Sequence, residues 1–284
     1  MILKSSGSIV AAAALVSGVM AVAGAVHATS IGVQFLDANT GYGDNPVNGQ
    51  MVGAPGFTQS VWNEVAVNDH NANGGYASYN PNWSGAGLSL SDSSGAASSI
   101  TLSYSSLGSQ RSNTYYTFPQ SGLTEQEKFL SGDIISFGSG GYVQFNNVPT
   151  GSYSLVAYLA NNYGDGSYNI SKEAAGFSVN GGSPVVTGEQ NGKNFTTSGD
   201  VYVTSTSPSS STVLNYLVFS GVTPASGNIT LNFKDISGVD VGVNAVQLIA
   251  PAGATPEPAT VALFGAAGAG ILLLSRRRSR GWSA

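Results

Sequence analysis

Two groups of oxygen-bearing side chains have the types and the spacing that hold a hard cation. In the stretch DHNANG, the residues Asp69, Asn71 and Asn73 alternate along the chain as the first ligands of a calcium loop do. The twelfth position of such a loop is Asn80 here, where an EF-hand has a bidentate glutamate. The stretch is therefore either a calcium site or a solvated turn rich in Asn.

The second group combines acids from the two ends of the chain's central part. Asp37 and Asp44 follow the first predicted strand, and Asp235 and Asp240 precede the last one. The first and last strands of a β-sandwich often lie side by side, so these four carboxylates are candidates to share one edge. The alternative is that they are ordinary loop acids.

Aromatic side chains in stretches rich in Asn and Gly have the chemistry that binds sugars. A flat ring packs against the C–H face of a sugar, while amides and carboxylates bond its hydroxyls. The candidate carbohydrate-binding residues are Trp62, Tyr79 and Trp83. Rings in such stretches can equally plug the ends of a sandwich, so both roles are open for each of them.

The chain offers little material for catalysis. It has no cysteine, its central part has one histidine, His70, and no serine lies in a Gly-x-Ser-x-Gly elbow. Glycoside hydrolysis needs two facing carboxylates, and Glu64 beside Trp62 is the best single candidate for one of them. We expect no catalytic residue, and no cofactor apart from a candidate calcium ion.

Charge excludes one class of partner. Residues 29–254 carry five basic side chains against fourteen acidic ones, a net charge of −9. An acidic surface repels phosphate backbones, so we expect no binding to nucleic acid.

The elements that must position these residues are predicted to be mostly β-strands. In NITLNF, the apolar residues Ile229, Leu231 and Phe233 alternate with polar ones, which is the period of a strand with one buried face. Nine such runs begin at Ile31, Ser99, Gly141, Gly151, Gly176, Val201, Leu214, Asn228 and Val243. The stretches 89–99, 205–212 and 223–227 are predicted to be loops or turns.

One short helix is predicted from about Thr124 to Ser131, because Thr124 and Glu127 have the spacing of a capping box. Many strands and one helix indicate an all-β fold, an antiparallel β-sandwich with jelly-roll topology. We expect residues 29–254 to form one domain, the body.

Both ends of the chain have the pattern of membrane-directed segments. Residues 1–28 resemble a signal peptide, with Lys4, an apolar run and the small residues Val26 and Ala28 before the expected cleavage site. Near the other end, an apolar run from Ala259 to Leu274 predicts a transmembrane helix over about residues 259–275. The alternatives are a retained N-terminal helix and a permanent C-terminal anchor.

The last residues resemble a PEP-CTERM sorting signal. Pro256, Glu257 and Pro258 precede the apolar run, and an Arg-rich tail follows it, with the basic residues Arg276, Arg277 and Arg278. The resemblance implies a Gram-negative bacterium, export across its inner membrane by the secretion machinery, and recognition by exosortase, a membrane protease-transpeptidase. It also implies membrane anchorage before processing, then a place on the cell surface or in the exopolysaccharide matrix.

The body resembles secreted bacterial galactose-binding-like β-sandwiches. The resemblance is carried by IGVQF at the start, GAPGFTQSVWNEV, LSDSSGAASSITLSYSS, and NAVQLI in the last strand. It implies architecture more than activity, and a structural calcium near the first and last strands.

Together these features predict a non-catalytic exported envelope or extracellular matrix protein. Its role would be structural or adhesive and linked to exopolysaccharide, with polysaccharide as a candidate partner. The alternatives are a carbohydrate-binding module with a defined aromatic site, and a glycan hydrolase.

Overall fold

The computed structural model describes most of the body. The described residues are 29–37, 49–67, 83–106, 124–130, 132, 134–137, 140–159, 174–188, 201–236 and 240–251. The predicted signal peptide and sorting tail lie outside them, as do Asp44, Asp69, Asn71, Asn73 and Tyr79.

The described residues form thirteen strands and one short helix. The strands are β1 (Ser30–Asp37), β2 (Trp62–Val67), β3 (Trp83–Ser91), β4 (Ala97–Ser106), β5 (Ile134–Phe137), β6 (Gly141–Asn146), β7 (Tyr153–Tyr158), β8 (Ala175–Val179), β9 (Val185–Thr187), β10 (Tyr216–Val222), β11 (Ile229–Asp235), β12 (Asp240–Val243) and β13 (Ala245–Ile249). The helix α1 spans Glu125–Phe129.

Two large sheets pack face to face, which confirms the predicted sandwich. The five-stranded sheet has the order β10-β7-β13-β1-β2, and the six-stranded sheet has the order β3-β4-β6-β11-β8-β9. From β6 to β13 the chain alternates between these two sheets, apart from the short strands β9 and β12. Such alternation is how a jelly roll is connected.

Neighbouring strands in the described part of the chain are antiparallel except for one pair. β1 and β2 run parallel, with Gly32 opposite Trp62 and Asp37 opposite Val67. A parallel pair needs a long connection. Here that connection carries the covering segment described below.

Apolar side chains of both large sheets fill the space between them. The buried residues alternate along the strands, as in β11, where Ile229, Leu231 and Phe233 are each at most 1% exposed. The alternation predicted for this run is therefore confirmed. Burial of these side chains is the main favourable term that holds the two sheets together.

The outer side of the five-stranded sheet is covered by α1 and by residues 49–61. A second buried cluster lies there, built on Trp62, Phe129, Tyr158 and Tyr216. Burial raises the pKa of the Tyr158 hydroxyl, which therefore stays neutral. It donates to Gln247 at 3.3 Å and accepts from the Ala54 backbone N–H at 3.3 Å.

The predicted capping box begins α1. The Glu127 backbone N–H donates to the Thr124 hydroxyl at 3.1 Å, and the Thr124 N–H donates to the Glu127 carboxylate at 2.7 Å. These two bonds satisfy amide groups that the first turn of a helix leaves open. The prediction of a short helix here is confirmed.

We call the end of the sandwich where the described chain begins and finishes the proximal end, and the opposite end the distal end. At the proximal end, Ser30 of β1 lies opposite Ile249 of β13. The turns 92–96, 147–152, 180–184 and 223–228 also lie there, because they join the strand ends that meet at this side. At the distal end, β1 and β11 finish at Asp37 and Asp235, and β12 begins at Asp240.

Two predictions from the sequence pattern are wrong in detail. The run from Val201 to Ser205 is irregular and not a strand. Its Val203 N–H donates to the side chain of Asn215 at 2.8 Å, and its oxygen accepts from the Asn215 backbone N–H at 3.0 Å, but these bonds do not continue as a strand ladder. The stretch 89–99 is not one loop, because it contains the end of β3, a turn at 92–96 and the start of β4.

Asn244 separates β12 from β13 and connects them to the end of the helix. Its side-chain amide donates to the backbone oxygens of Leu130 at 2.8 Å and Gly132 at 2.9 Å. Its backbone also bonds to Tyr158 and Phe35, which belong to the strands on either side of β13. This fully buried amide therefore fixes the segment after α1 against the five-stranded sheet.

We predict that Asn244→Ala lowers the free energy of unfolding by about 2–4 kcal/mol, because it leaves two buried carbonyl oxygens without a donor. The matched control is Asn232→Ala, in a half-buried asparagine on the outer side of β11, which should change stability by about 0.5 kcal/mol or less. Denaturant unfolding of the purified body measures both. Equal effects of the two changes would contradict this role of Asn244.

Candidate functional site

Trp62 is not an exposed sugar-binding ring, contrary to the sequence prediction. Its side chain is 2% exposed and packs against Phe129 at a ring-centroid distance of 4.4 Å. The indole N–H donates to the Gln59 backbone oxygen at 3.0 Å. Gly32 permits this packing, because a Cβ on it would collide with Trp62 and Gln59. Trp62 therefore belongs to the core.

The other predicted aromatic residues stay predictions. Trp83 is the first residue of β3 and lies opposite Ser106, but its side chain is outside the described part of the structure. Tyr79 is outside it altogether. No contact between these rings and the rest of the fold is therefore described.

The predicted calcium ligands are described only in part. Asp37 and Asp235 end β1 and β11, and Asp240 begins β12, so the backbones of all three lie at the distal end of the sandwich. The side chains of Asp37 and Asp240 are not described, and the remaining candidates Asp44, Asp69, Asn71 and Asn73 are outside the described residues. Among described side chains no group of three His, Cys, Asp or Glu residues could hold a metal ion. Both calcium sites stay predictions.

One large surface consists mostly of polar side chains, and we call it the polar face. It is the outer side of the six-stranded sheet, where strand alternation directs hydroxyl and amide side chains away from the core. The strand register arranges these residues in rows: Thr101 and Asn146; Ser103, Gln144, Thr230 and Asn180; and Ser105, Tyr142, Asn232 and Ser178.

Hydrogen bonds across the strands hold this face in shape. The Asn146 amide donates to the hydroxyls of Ser103 at 3.0 Å and Thr101 at 3.3 Å. The Thr230 hydroxyl donates to Gln144 at 2.9 Å. These side chains hold one another in place. They therefore lose less conformational freedom when a ligand binds than the side chains of a mobile loop would.

A shallow depression lies in the distal half of the polar face. Its volume is about 340 Å³, and its lining includes Ser105, Tyr142, Ser178, Asn232 and Lys234. The Tyr142 ring is half-buried, while Lys234 is exposed and has no ion-pair partner among the described side chains. The depression thus combines the tyrosine ring of Tyr142, one cation, hydroxyls and an amide, above the buried ring of Phe233.

This surface was not predicted from the sequence, for an identifiable reason. The predicted sugar-binding rings come from stretches with the character of loops, whereas Tyr142 lies in a strand between Gly141 and Val143. The signal that could have found it is the set of outward positions in β4, β6 and β11, which are almost all Ser, Thr, Asn or Gln. To recognise an amide-rich outward face, one must know which strands are neighbours. The sequence alone does not provide this pairing order.

Comparison with protein-family models finds one match, over residues 254–278, to the PEP-CTERM protein-sorting motif. The chain carries a PEP-CTERM sorting motif. The match covers Pro256, Glu257, Pro258 and the three arginines, as the sequence resemblance indicated. The motif implies that the chain is exported and that exosortase processes it.

Solved structures similar to parts of this chain include two carbohydrate-active proteins. A native family 35 carbohydrate-binding module from Clostridium thermocellum shares 19% identity over 39% of this chain and 72% of its own, with a TM-score of 0.23. An exo-β-1,3-galactanase from Phanerochaete chrysosporium, crystallised with galactose, shares 16% identity over 63% of this chain and 32% of its own, with a TM-score of 0.27. At these low scores the shared shape is partial, so the fold assignment depends on the strand pairing. No curated protein matches the chain.

The sorting motif itself lies beyond the last described residue. In the part of the chain that is described, no helix has the length and apolar character needed to cross a membrane.

We predict that Trp62→Ala destabilises the body by about 3–5 kcal/mol, because it empties a large buried volume in the second cluster. Tyr142→Ala should cost about 1 kcal/mol or less, since that ring is half-buried on the outer face. Thermal or denaturant unfolding distinguishes the two. A Trp62→Ala body with wild-type stability would mean that Trp62 is not a core residue.

Proposed function

We propose that this chain is a non-catalytic protein of the cell envelope or extracellular matrix of a Gram-negative bacterium, with a structural or adhesive role. The sorting motif at residues 254–278 is the observation that carries the proposal. In this account the signal peptide directs the chain across the inner membrane. The helix at about residues 259–275 then anchors it until exosortase acts near Pro256–Pro258.

The chemistry of the polar face supports polysaccharide as the partner. Polysaccharides present many hydroxyls, which pair with the hydroxyl and amide groups in the rows around Gln144 and Asn232. The Tyr142 ring provides a flat apolar surface for the C–H side of one sugar unit. Each contact of this kind is weak, so retention in a matrix would depend on many copies acting together.

The described carboxylates support a non-catalytic role, because the local fold uses several of them. Glu127 completes the capping box, and Glu125 pairs with Lys128 at 2.7 Å. Asp92 closes the turn between β3 and β4 by accepting from the N–H groups of Ser94 at 2.8 Å and Ala96 at 3.1 Å. Glu64, the candidate acid for hydrolysis, is exposed on β2.

A carbohydrate-binding module with a defined site is the second candidate function. The depression around Tyr142 favours it, because an aromatic ring beside a cation and several hydrogen-bonding groups can select a particular sugar. Saturable binding of one glycan would distinguish this candidate from a weak, unselective matrix contact.

Sorting is tested by the intact mass of the mature protein from cells with and without exosortase. We expect a mass that ends near Pro256–Pro258 only when exosortase is present. A protein that keeps its arginine tail in both strains would be a permanently anchored protein, and the sorting part of the proposal would be wrong.

Polysaccharide contact is tested by replacing Tyr142, whose ring lines the depression. We predict that Tyr142→Ala lowers retention of the body on the producing strain's exopolysaccharide by about tenfold, a loss of about 1.4 kcal/mol. Tyr142→Phe is the matched control, because it keeps the ring and removes only the hydroxyl. Retention by co-sedimentation should stay near wild type for the control. Full retention by Tyr142→Ala would remove the polar face as the binding surface.

A further inference from the structure

The fold brings the two membrane-directed ends of the body to one place. β1 and β13 pair so that Ser30 lies opposite Ile249. One residue further out, the Ala250 backbone N–H donates to the Thr29 backbone oxygen at 3.0 Å. The predicted signal-peptide cleavage site immediately precedes Thr29. The sorting tail therefore leaves the sandwich beside the mature N-terminus, at the proximal end.

The link between the folded body and the sorting motif is short. Residues 251–255 separate Ala250 from Pro256, the first residue of the Pro-Glu-Pro element. Six residue steps of fully extended chain reach about 20 Å. An enzyme that acts between Pro256 and Pro258, six to eight steps from Ala250, must therefore work within about 20–30 Å of the proximal end if β13 stays folded.

The proximal end has the character of a contact surface of low charge. Among its described residues (29–31, 92–98, 147–153, 180–184, 222–229 and 249–251), Asp92 is the one charged side chain. The rest of the body carries most of the net charge of −9. The core of a protein–protein contact is depleted of charged residues, and the described part of the proximal end has this property.

Hydrogen bonds within and between the turns at the proximal end hold these turns in place. The Tyr153 hydroxyl donates to the Pro149 backbone oxygen at 3.0 Å, and the Asn180 amide donates to the Thr223 oxygen at 2.9 Å. These bonds order the turns in the free protein. Docking of a partner there consequently requires little further ordering of these turns, so little conformational entropy is lost.

From the tether length and this surface, we propose that the proximal end of the folded body docks on exosortase while the tail is processed. The inference rests on the proposed sorting function. The partner is the enzyme and not the bare membrane, because the enzyme's reactive site must occupy the space between the body and the start of the apolar run. Recognition would then include the body as well as the motif.

The test measures how fast the full-length precursor is processed in cells, in a pulse-chase followed by intact mass. Thr150→Glu with Ser152→Glu places two charges on an exposed proximal turn, and Ser84→Glu with Ala86→Glu is the matched distal control. We expect the proximal pair to slow processing by about tenfold and the distal pair to leave it unchanged. An insertion of ten Gly and Ser residues after Ala252 should remove the effect of the proximal pair, because the longer tether no longer forces contact.

Three results would overturn the inference. The first is equal processing of the proximal and distal variants, and the second is an effect of the proximal pair that the longer tether does not relieve. The third concerns the membrane: if Thr150→Lys with Ser152→Lys speeds processing, contact with anionic lipid explains the data, whereas a fitted protein surface predicts slowing by either charge. An unchanged thermal unfolding midpoint of each variant body shows that folding is intact. Wild-type precursor that is never processed contradicts the sorting function itself, which separates the two failures.

Discussion

The antiparallel pairing of β1 with β13 is the interaction on which the rest of the structure depends. These strands are more than 200 residues apart in the chain, yet their register from Ser30↔Ile249 to Gln34↔Ala245 closes the middle of the five-stranded sheet. β13 connects β1 to β7, and β1 connects β13 to the parallel strand β2. Without this pairing the sheet would divide between β13 and β1. Trp62 of β2 would then lose its contact with Tyr158 of β7 in the second buried cluster.

The outer sides of the two large sheets differ, and the proposed polysaccharide contact uses the side that is not covered. The outer side of the five-stranded sheet is covered by α1 and residues 49–61, with rings packed over Tyr158. The outer side of the six-stranded sheet presents hydroxyls and amides around Tyr142. The depression lies toward the distal end, and the sorting tail leaves at the proximal end. The depression and the last described residue, Pro251, therefore lie toward opposite ends of the sandwich.

Local patterns were sufficient to predict the sandwich, the helix cap at Thr124 and Glu127, and the sorting motif, because each depends on neighbouring residues. Long-range burial was not predictable in the same way. Trp62 was expected in an exposed loop, but Gly32 of the neighbouring strand leaves room for its ring, and only the β1–β2 pairing shows this. Val201–Ser205 has the alternation of a strand, but its hydrogen bonds converge on the side chain and backbone of Asn215 beside the start of β10 and do not continue as a ladder.

The most direct test of this account is a disulfide between β1 and β13, since the chain has no cysteine of its own. Ser30 and Ile249 face each other at a position without mutual backbone hydrogen bonds, where Cα atoms are about 4.5 Å apart and within disulfide range. Ser30→Cys with Ile249→Cys should oxidise almost completely in the folded body, whereas Ser30→Cys with Leu248→Cys, one residue out of register, should not. Equal cross-linking of the two pairs, or none in either, would contradict the pairing that brings the two chain ends together.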